Sequence, residues 1–348
     1  MTTNAEDEES AILRPRLAHQ LFGHTEAERT LLEAYRGGRI PHAWLIGGEP
    51  GVGKATLAYR MARFVLAYPD PNMPAVQKAS SLSVQADHPA ARRIAGQAHS
   101  DLLVLRRVIN EKTGKMFAVI RAAEDVRDRI VPFFGSTAGE GGWRVAIADA
   151  LEDLNRPGEN ALLKILEEPP ARALLLLVSH APGRVLPTIR SRCRTLSLRQ
   201  LATTDVAHAV ASALGERAVT DEMHQAAKAA DGSVGRALML LEGDALELHQ
   251  QVTGLLDRLP ALDARALHAL GDEIAGTRLE PLAAFTDAVN TWLSARLQNG
   301  PQETKRLARV GDIWTTVNRA MQDAEAYNLD RKPLVFSIFG QLAEAARI

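Results

Sequence analysis

LIGGEPGVGKATLAYR, residues 45–60, joins an apolar run to a glycine-rich loop and then to a segment with apolar residues at helical spacing. A buried strand, glycines, a lysine and a helix in that order predict a loop that binds phosphate. Gly48, Gly51 and Gly53 let backbone amides turn toward phosphate oxygens. Lys54 adds a positive charge at the amino end of the helix, where the helix dipole also favours an anion. The alternative, a plain glycine-rich turn, is disfavoured by the combined order of these features.

Two residue types that ATP hydrolysis requires are missing around this loop. Ala55 stands where a Ser or Thr hydroxyl normally binds magnesium, and Thr56 lies one residue on, turned by about 100° around the helix. Asp149, at the end of a later apolar run, could hold magnesium, but Ala150 follows where a general-base glutamate is usual. We expect the acidic pair at 152–153 to be solvated at the surface. The sequence predicts a degenerate nucleotide pocket that requires no cofactor and for which weak binding of ATP or ADP stays open, formed by Gly48, Gly51, Gly53, Lys54, Thr56 and Asp149.

The composition excludes several classes of protein. The chain has 348 residues, enough for two or three domains. With 41 Lys and Arg against 42 Asp and Glu, it has no general attraction to nucleic acid, so any DNA contact must be local or shared with partners. The one cysteine, Cys193, rules out an internal disulfide framework. No apolar run approaches a membrane span and the start, MTTNAEDEESAIL, is acidic and polar, so we expect a cytoplasmic protein without a membrane partner.

The pattern of apolar residues changes twice along the chain. After a flexible acidic tail at 1–15, residues 16–199 alternate short apolar runs with helical patterns, which is typical of a parallel sheet covered by helices. Residues 200–242 predict short helices, and 243–348 predict longer amphipathic helices. The predicted strands are residues 43–47, 102–105, 145–149 and 173–179, and two of the predicted helices are residues 54–66 and 160–168.

Four further segments carry a resemblance to a known family. They are NALLKILEEPP at 160–170, IRSRC at 189–193, HSDLLVL at 99–105 and AEAYNLDRKPLV at 324–335. Together with the loop they closely resemble bacterial clamp-loader subunits, over nearly the whole chain. The resemblance implies an α/β AAA+ P-loop domain with a parallel sheet, then a small helical lid and an all-α collar for oligomerisation. It also implies partners in DNA replication: the family's ATPase subunits, the clamp-opening subunit and, through them, the sliding clamp and primed DNA.

Residues 68–89 stand where the family's ATPase subunits carry a four-cysteine zinc module. They contain no cysteine and one histidine, His88. A tetrahedral zinc site cannot be built from that set, so we expect no zinc and no other metal site.

Residues 183–198, GRVLPTIRSRCRTLSL, hold four arginines within eleven residues. From spacing alone, a solvated basic loop or a weak DNA-binding patch is favoured. The resemblance implies a different role, because Ser191, Arg192 and Cys193 match the family's arginine finger. Arg192 would then act in trans on ATP held by a neighbouring subunit. We interpret Cys193 as a small buried filler in the strand that follows the finger.

Residues 231–238, DGSVGRAL, predict the start of a helix with Ser233 as its cap. The segment is similar to the lid motif with which the family's ATPases sense nucleotide. Here Gly235 takes the expected arginine position and Arg236 follows it, turned by about 100° on a straight helix. A sensor role for Arg236 and a plain surface position near a helix start both stay open.

The resemblance and the missing hydroxyl together predict a stationary clamp-loader subunit that closes one end of a pentameric arc. Such a subunit hydrolyses no ATP itself and contributes Arg192 to the ATP site of a neighbour. One alternative is an active ATPase subunit of the same family, against which Ala55 and Ala150 argue. Another is a DNA-binding module built around the arginine segment.

Overall fold

The computed structural model describes residues 14–107, 123–135, 142–275, 280–299, 304–327 and 329–347. The chain divides into two compact units, 1–238 and 239–348. The predicted acidic tail lies, up to residue 13, outside the described residues. The boundaries predicted for a lid at 200–242 and a collar at 243–348 stay predictions.

The first unit is built on a five-stranded sheet in which every pair of neighbouring strands is parallel. The strand order is β2-β3-β4-β1-β5, so β1 is paired on both edges. The four strands predicted from apolar runs are confirmed to within a residue. The strand expected after the arginine segment also exists, but as an exposed edge strand and not a buried one. The strands are β1 Ala43–Gly47, β2 Leu102–Arg106, β3 Arg144–Asp149, β4 Ala173–Ser179 and β5 Arg194–Ser197.

Helices cover both faces of this sheet, as the near-continuous apolar strands require. Side chains alternate along β4: Leu174 and Leu176 pack in one core with residues of α1, α2 and α4, whereas Leu175 and Leu177 pack in a second core with residues of α5 and α6. The α/β fold class is therefore confirmed. The helices are α1 Thr25–Arg36, α2 Lys54–Ala67, α3 Pro74–Gln77, α4 Pro89–Ala95, α5 Ala123–Gly135, α6 Arg156–Glu167, α7 Pro187–Arg190, α8 Thr203–Leu214, α9 Asp221–Ala229 and α10 Val234–Leu240.

One predicted helix starts earlier than expected. The pattern predicted a helix over 160–168, but α6 begins at Arg156 because the Asn155 side chain accepts a hydrogen bond from the Gly158 amide at 2.9 Å. Asn155 is a favoured capping residue, and Pro157 lies in the first turn, where proline is tolerated. The cap precedes the apolar positions, so a search based on apolar spacing missed it.

In the described residues of the second unit, the secondary-structure elements are helices joined by turns and irregular segments. Its core contains Leu256, Leu270, Phe285, Leu293 and Phe339 among other apolar side chains. The helices are α11 Ala245–Leu256, α12 Ala264–Ile274, α13 Glu280–Asn299, α14 Thr304–Ala326 and α15 Arg331–Arg347.

A buried ion pair fastens α2 to α1 in the first unit. The Arg60 guanidinium donates to Glu28 Oε1 through Nε at 2.9 Å and Nη2 at 2.5 Å, and the Leu82 amide donates to the same oxygen at 3.1 Å. The Arg60 and Glu28 side chains are only 5% and 10% exposed. Removing one member of such a pair leaves the other charge buried without compensation.

We expect Arg60→Met to lower the free energy of unfolding of the first unit by about 3–5 kcal/mol, because the Glu28 carboxylate loses its cation. The matched control is Arg29→Met, since Arg29 pairs with a Glu26 side chain that is 91% exposed. That loss should cost about 0–1 kcal/mol. Urea-dependent hydrogen exchange of the amides in α2 and the sheet measures the first unit separately, and equal costs for the two variants would contradict the prediction.

Candidate functional site

The glycine-rich loop leaves the carboxyl end of β1 in a backbone conformation that requires glycine. Gly51 and Gly53 have φ angles of +76° and +101°. A Cβ at Gly48 would lie 2.6 Å from the carbonyl oxygen of Leu198, and one at Gly51 would lie 2.1 Å from the Ser233 hydroxyl. The glycines therefore serve both the turn and the close approach of two other segments.

Five consecutive carbonyl oxygens of the loop, 48–52, each accept a hydrogen bond from a protein group. Their donors come from the loop's own lysine, from the start of α10 and from the segment before α1. The loop is thus held in its shape by protein groups on every side. The donors are the Lys54 ammonium to Gly48 (2.7 Å) and Glu49 (2.5 Å), the Ser233 hydroxyl to Pro50 (3.0 Å), the amides of Val234 (3.0 Å) and Gly235 (3.3 Å) to Gly51, and His24 Nε2 to Val52 (2.7 Å).

Lys54 is a buried cation with nearby carboxylates. It is 3% exposed. Burial lowers the pKa of its ammonium from 10.5 to about 8, against the opposing influence of Asp149, Glu152 and Glu49. The structure therefore brings together Lys54 and Asp149, two of the predicted pocket residues. A buried positive charge beside a glycine-rich loop can attract an anion, although its hydrogen bonds are already directed at loop carbonyls.

As expected, Glu152 is exposed at the surface and Asp153 is partly exposed, but both carboxylates also have partners within the chain. The Glu152 carboxylate accepts hydrogen bonds from the Ser179 hydroxyl and, at 2.9 Å, from the Ala181 amide. Burial raises the pKa of Glu152, but these hydrogen bonds outweigh burial and lower it. Asp153 Oδ2 lies 3.2 Å from Arg107 Nε. Both carboxylates have partners that lie far away in the sequence.

Sequence reasoning missed Ser179 and His24 as neighbours of the loop. Ser179 is the last residue of β4 and lies in register with Gly47 of β1. Only the strand order brings it there, and a single apolar run carries no information on strand order. His24 is buried, and burial lowers the pKa of its imidazole, which favours the neutral ring that donates to Val52.

The residues around the loop do not fit a complete magnesium–nucleotide centre. Ala55 supplies no hydroxyl, and Thr56 is half-buried one position further along α2. Ala150 is buried and has no side chain that could activate water. In the part of the chain that the structure describes, no group of three or more His, Cys, Asp or Glu residues is placed to hold a metal. His88 instead caps α4, its Nδ1 accepting the Ala90 amide at 3.2 Å.

The start of α10 is fastened to the loop. The Ser233 hydroxyl donates to Pro50 and also accepts the Arg236 amide at 3.2 Å, so Ser233 is the predicted cap of this helix. Arg236 is half-buried in the first turn and not a freely solvated residue. Its sensor role stays a prediction.

The arginine segment presents Arg192 at the surface on a short helical platform. The Ser191 hydroxyl donates to the Thr188 carbonyl at 3.2 Å, and Arg192 Nη1 donates to the same oxygen at 2.9 Å. Arg192 Nη2 lies 2.8 Å from Glu167 Oε1. The Arg192 side chain is 36% exposed.

The structure corrects the position expected for Cys193. It precedes β5 by one residue and is partly buried against the core that contains α6. Burial raises the pKa of its thiol to about 11, which argues against a nucleophilic role. Next to it, the Arg194 guanidinium lies 5.1 Å from the ring centre of buried Trp44. Arg192 and Arg194 therefore both have partners within the chain.

A sequence model of the family described as "DNA polymerase III, delta subunit" matches residues 23–202, which contain the loop, the sheet and the arginine segment. The chain belongs to this family. It is 30% identical to the DNA polymerase III subunit delta' of Escherichia coli over 258 residues, which cover 73% of this chain and 71% of that protein. It is 36% identical to the subunit delta' of Pseudomonas aeruginosa over 159 residues, which are 45% of this chain and only 43% of that protein.

Another relative is the DNA polymerase III subunit tau of Escherichia coli, at 28% identity over 77% of this chain and 40% of that protein. The chain therefore matches subunits of the same polymerase under two different names, and the delta' matches have the higher identity.

In the described residues, no helix combines the length and the apolar character that crossing a membrane requires.

The lowered pKa of Lys54 predicts a pH dependence of stability. Between about pH 8 and 10.5 the unfolded lysine keeps its proton while the folded one has lost it. The unfolded state then binds more protons, so stability rises with pH by up to about 1.4 kcal/mol per unit. We expect the free energy of unfolding of the wild type, relative to that of Lys54→Met, to rise with pH above about pH 8. Urea unfolding of both proteins from pH 7 to 10 measures this, and parallel pH curves would contradict the lowered pKa.

Ser233→Ala should weaken the attachment of α10 to the loop, because it removes a hydrogen bond and a cap, each worth about 1 kcal/mol, while the two amide contacts to Gly51 remain. We expect faster hydrogen exchange at residues 48–53 and 234–240. The control is Thr220→Ala, which removes the cap of α9, a hydrogen bond of 3.2 Å to the Met223 amide, away from the loop. Exchange in the loop that is equally slow in both variants would show that Ser233 does not hold it.

Proposed function

We propose that this chain is a delta prime-type, stationary subunit of the DNA polymerase III clamp loader. It assists the ATP-driven loading of the sliding clamp onto primed DNA and contributes Arg192 to the ATP site of a neighbouring subunit. One observation carries the proposal. In a chain of this family, a phosphate loop without its magnesium ligand occurs together with an exposed arginine whose guanidinium is held by two contacts within the chain.

The state of the loop supports a subunit that does not hydrolyse ATP. Phosphoryl transfer depends on a metal and on a group that orients the attacking water. Ala55 and Ala150 supply neither. The family's motor role, that of the gamma or tau subunit, needs both and is therefore the less favoured candidate. Nucleotide is not required by this proposal, and weak binding of ATP or ADP to the loop would be compatible with it.

The contacts of α10 support a stationary role. Ser233, Val234 and Gly235 donate to the loop carbonyls. Protein hydrogen bonds thus join the start of α10 to the loop directly.

Arg192 has the chemistry that an arginine finger needs. Its guanidinium is planar, stays charged at any physiological pH and offers several donors to phosphate oxygens. Negative charge spreads over those oxygens in the transition state of ATP hydrolysis, and a cation from the next subunit stabilises it. Ser191 supports this placement, because its hydroxyl and the Arg192 guanidinium bind the same carbonyl oxygen.

The proposed partners are the gamma and tau ATPase subunits, the delta subunit and, through them, the sliding clamp and primed DNA. We assign subunit association to the helical second unit. Two of its large apolar side chains, Tyr327 and Leu329, are 73% and 51% exposed beside α14 and α15.

Arg192→Ala should leave assembly intact and silence the adjoining ATP site, because fingers supplied in trans are worth about 10³–10⁵ in rate. Total turnover should fall only in part, since other sites use other fingers, and clamp loading should fall further. Arg192→Lys should rescue poorly, because an ammonium lacks the planar fork. The measurement is clamp- and DNA-stimulated ATP turnover by complexes reconstituted with each variant.

Two controls accompany this experiment. Arg190→Ala removes an exposed arginine from the same segment and should behave as wild type. The isolated chain should hydrolyse no ATP above a blank. Unchanged turnover and loading with Arg192→Ala, or steady turnover by the isolated chain, would refute the proposed function.

A further inference from the structure

The Arg192 guanidinium is anchored at two points that come from different parts of the sequence. Nη1 donates to Thr188, within the arginine segment itself. Nη2 is paired with Glu167, the last residue of α6. The first contact ties the side chain to its own loop, whereas the second ties it to a helix that packs on the sheet.

Glu167 is an unusual residue at its position. The carboxyl end of a helix carries partial negative charge, so a carboxylate there is disfavoured unless a cation lies close by. A second carboxylate, that of Glu168, follows at once, and Pro169 and Pro170 prevent the helix from continuing. The negative charges at this helix end favour nearby cations: Lys164 lies in the last turn of α6, and Arg192 forms the ion pair with Glu167.

The pair is also open to solvent and to a partner. Arg192 and Glu167 are 36% and 52% exposed. Exposed ion pairs contribute little to stability. A contribution to the stability of the fold therefore does not explain why Glu167 and Arg192 are paired. A guanidinium has more donors than the two anchors use, so others stay available for a phosphate while both contacts persist.

We propose that Glu167 is a positioning residue for Arg192, and this inference rests on the proposed role of Arg192 as a finger. Glu167 holds the guanidinium so that its remaining donors point toward the phosphate of ATP in the adjoining subunit. It contacts no nucleotide and acts only through Arg192. Holding a long side chain in place beforehand reduces the rotamer freedom that is lost when the phosphate is bound.

The test uses the reconstituted complex and the part of ATP turnover that Arg192→Ala removes. Glu167→Ala should lower that part roughly tenfold, because a misplaced catalytic group can cost up to about 10²-fold. The KM for ATP should stay unchanged, since the finger acts in the transition state. Glu167→Gln should keep most of the activity, because its amide oxygen can still accept from Nη2. Glu168→Gln, which removes a charge one residue away, should behave as wild type.

The double variant Glu167→Ala/Arg192→Ala should match Arg192→Ala alone, because Glu167 has no other route to the reaction. Matched elution and melting temperature would show that neither variant acts through assembly or folding. The inference is overturned if Arg192→Ala lowers turnover and Glu167→Ala does not, if Glu167→Ala raises turnover, or if Glu167→Gln is as impaired as Glu167→Ala. If Arg192→Ala itself has no effect, the proposed function fails instead.

Discussion

The pairing of β1 on both edges, with β4 on one side and β5 on the other, is the constraint on which the first unit depends. It makes the glycine-rich loop leave the sheet between the ends of two neighbouring strands, β4 and β5. Leu198, just after β5, and Ser179, at the end of β4, are therefore brought to the loop. The segment that joins β4 to β5 carries Arg192, so one strand arrangement positions both the glycine-rich loop and the arginine that we propose as a finger.

Among the residues that the structure describes, buried arginines and the exposed Arg192 have different roles. Arg60 and Arg63 lie almost wholly inside the first unit, where Arg60 pairs with Glu28, and Arg63 donates to the carbonyl of Arg16 at 2.7 Å. Such groups cannot leave their partners without a large desolvation cost, so they fasten the segment before α1. Arg192 makes similar contacts at the surface, where a pair is weak and a stronger anion can engage the same guanidinium.

The glycine-rich loop differs from Arg192. It has the shape of a phosphate-binding loop, but its positive charge is buried and already bound to protein groups. Lys54 is buried, its pKa is lowered to about 8, and its ammonium is bonded to two carbonyls of the loop. The start of α10 occupies two further carbonyls. A phosphate would have to compete with two loop carbonyls for the Lys54 ammonium, and without a magnesium ligand it would gain less in return.

The sequence alone determined the features that depend on neighbouring residues. Apolar runs predicted four strands, glycine spacing predicted the loop, Ser233 was identified as a cap, and the missing hydroxyl at Ala55 is a fact of the sequence itself. Tertiary structure decided the contacts between distant segments: Ser233 and Pro50 are 183 positions apart, and Glu152 meets Ser179 across 27. The pairing of Glu167 with Arg192 belongs to this second group. Local periodicity records which face of an element is apolar, whereas strand order and side-chain partners arise only when those faces pack together.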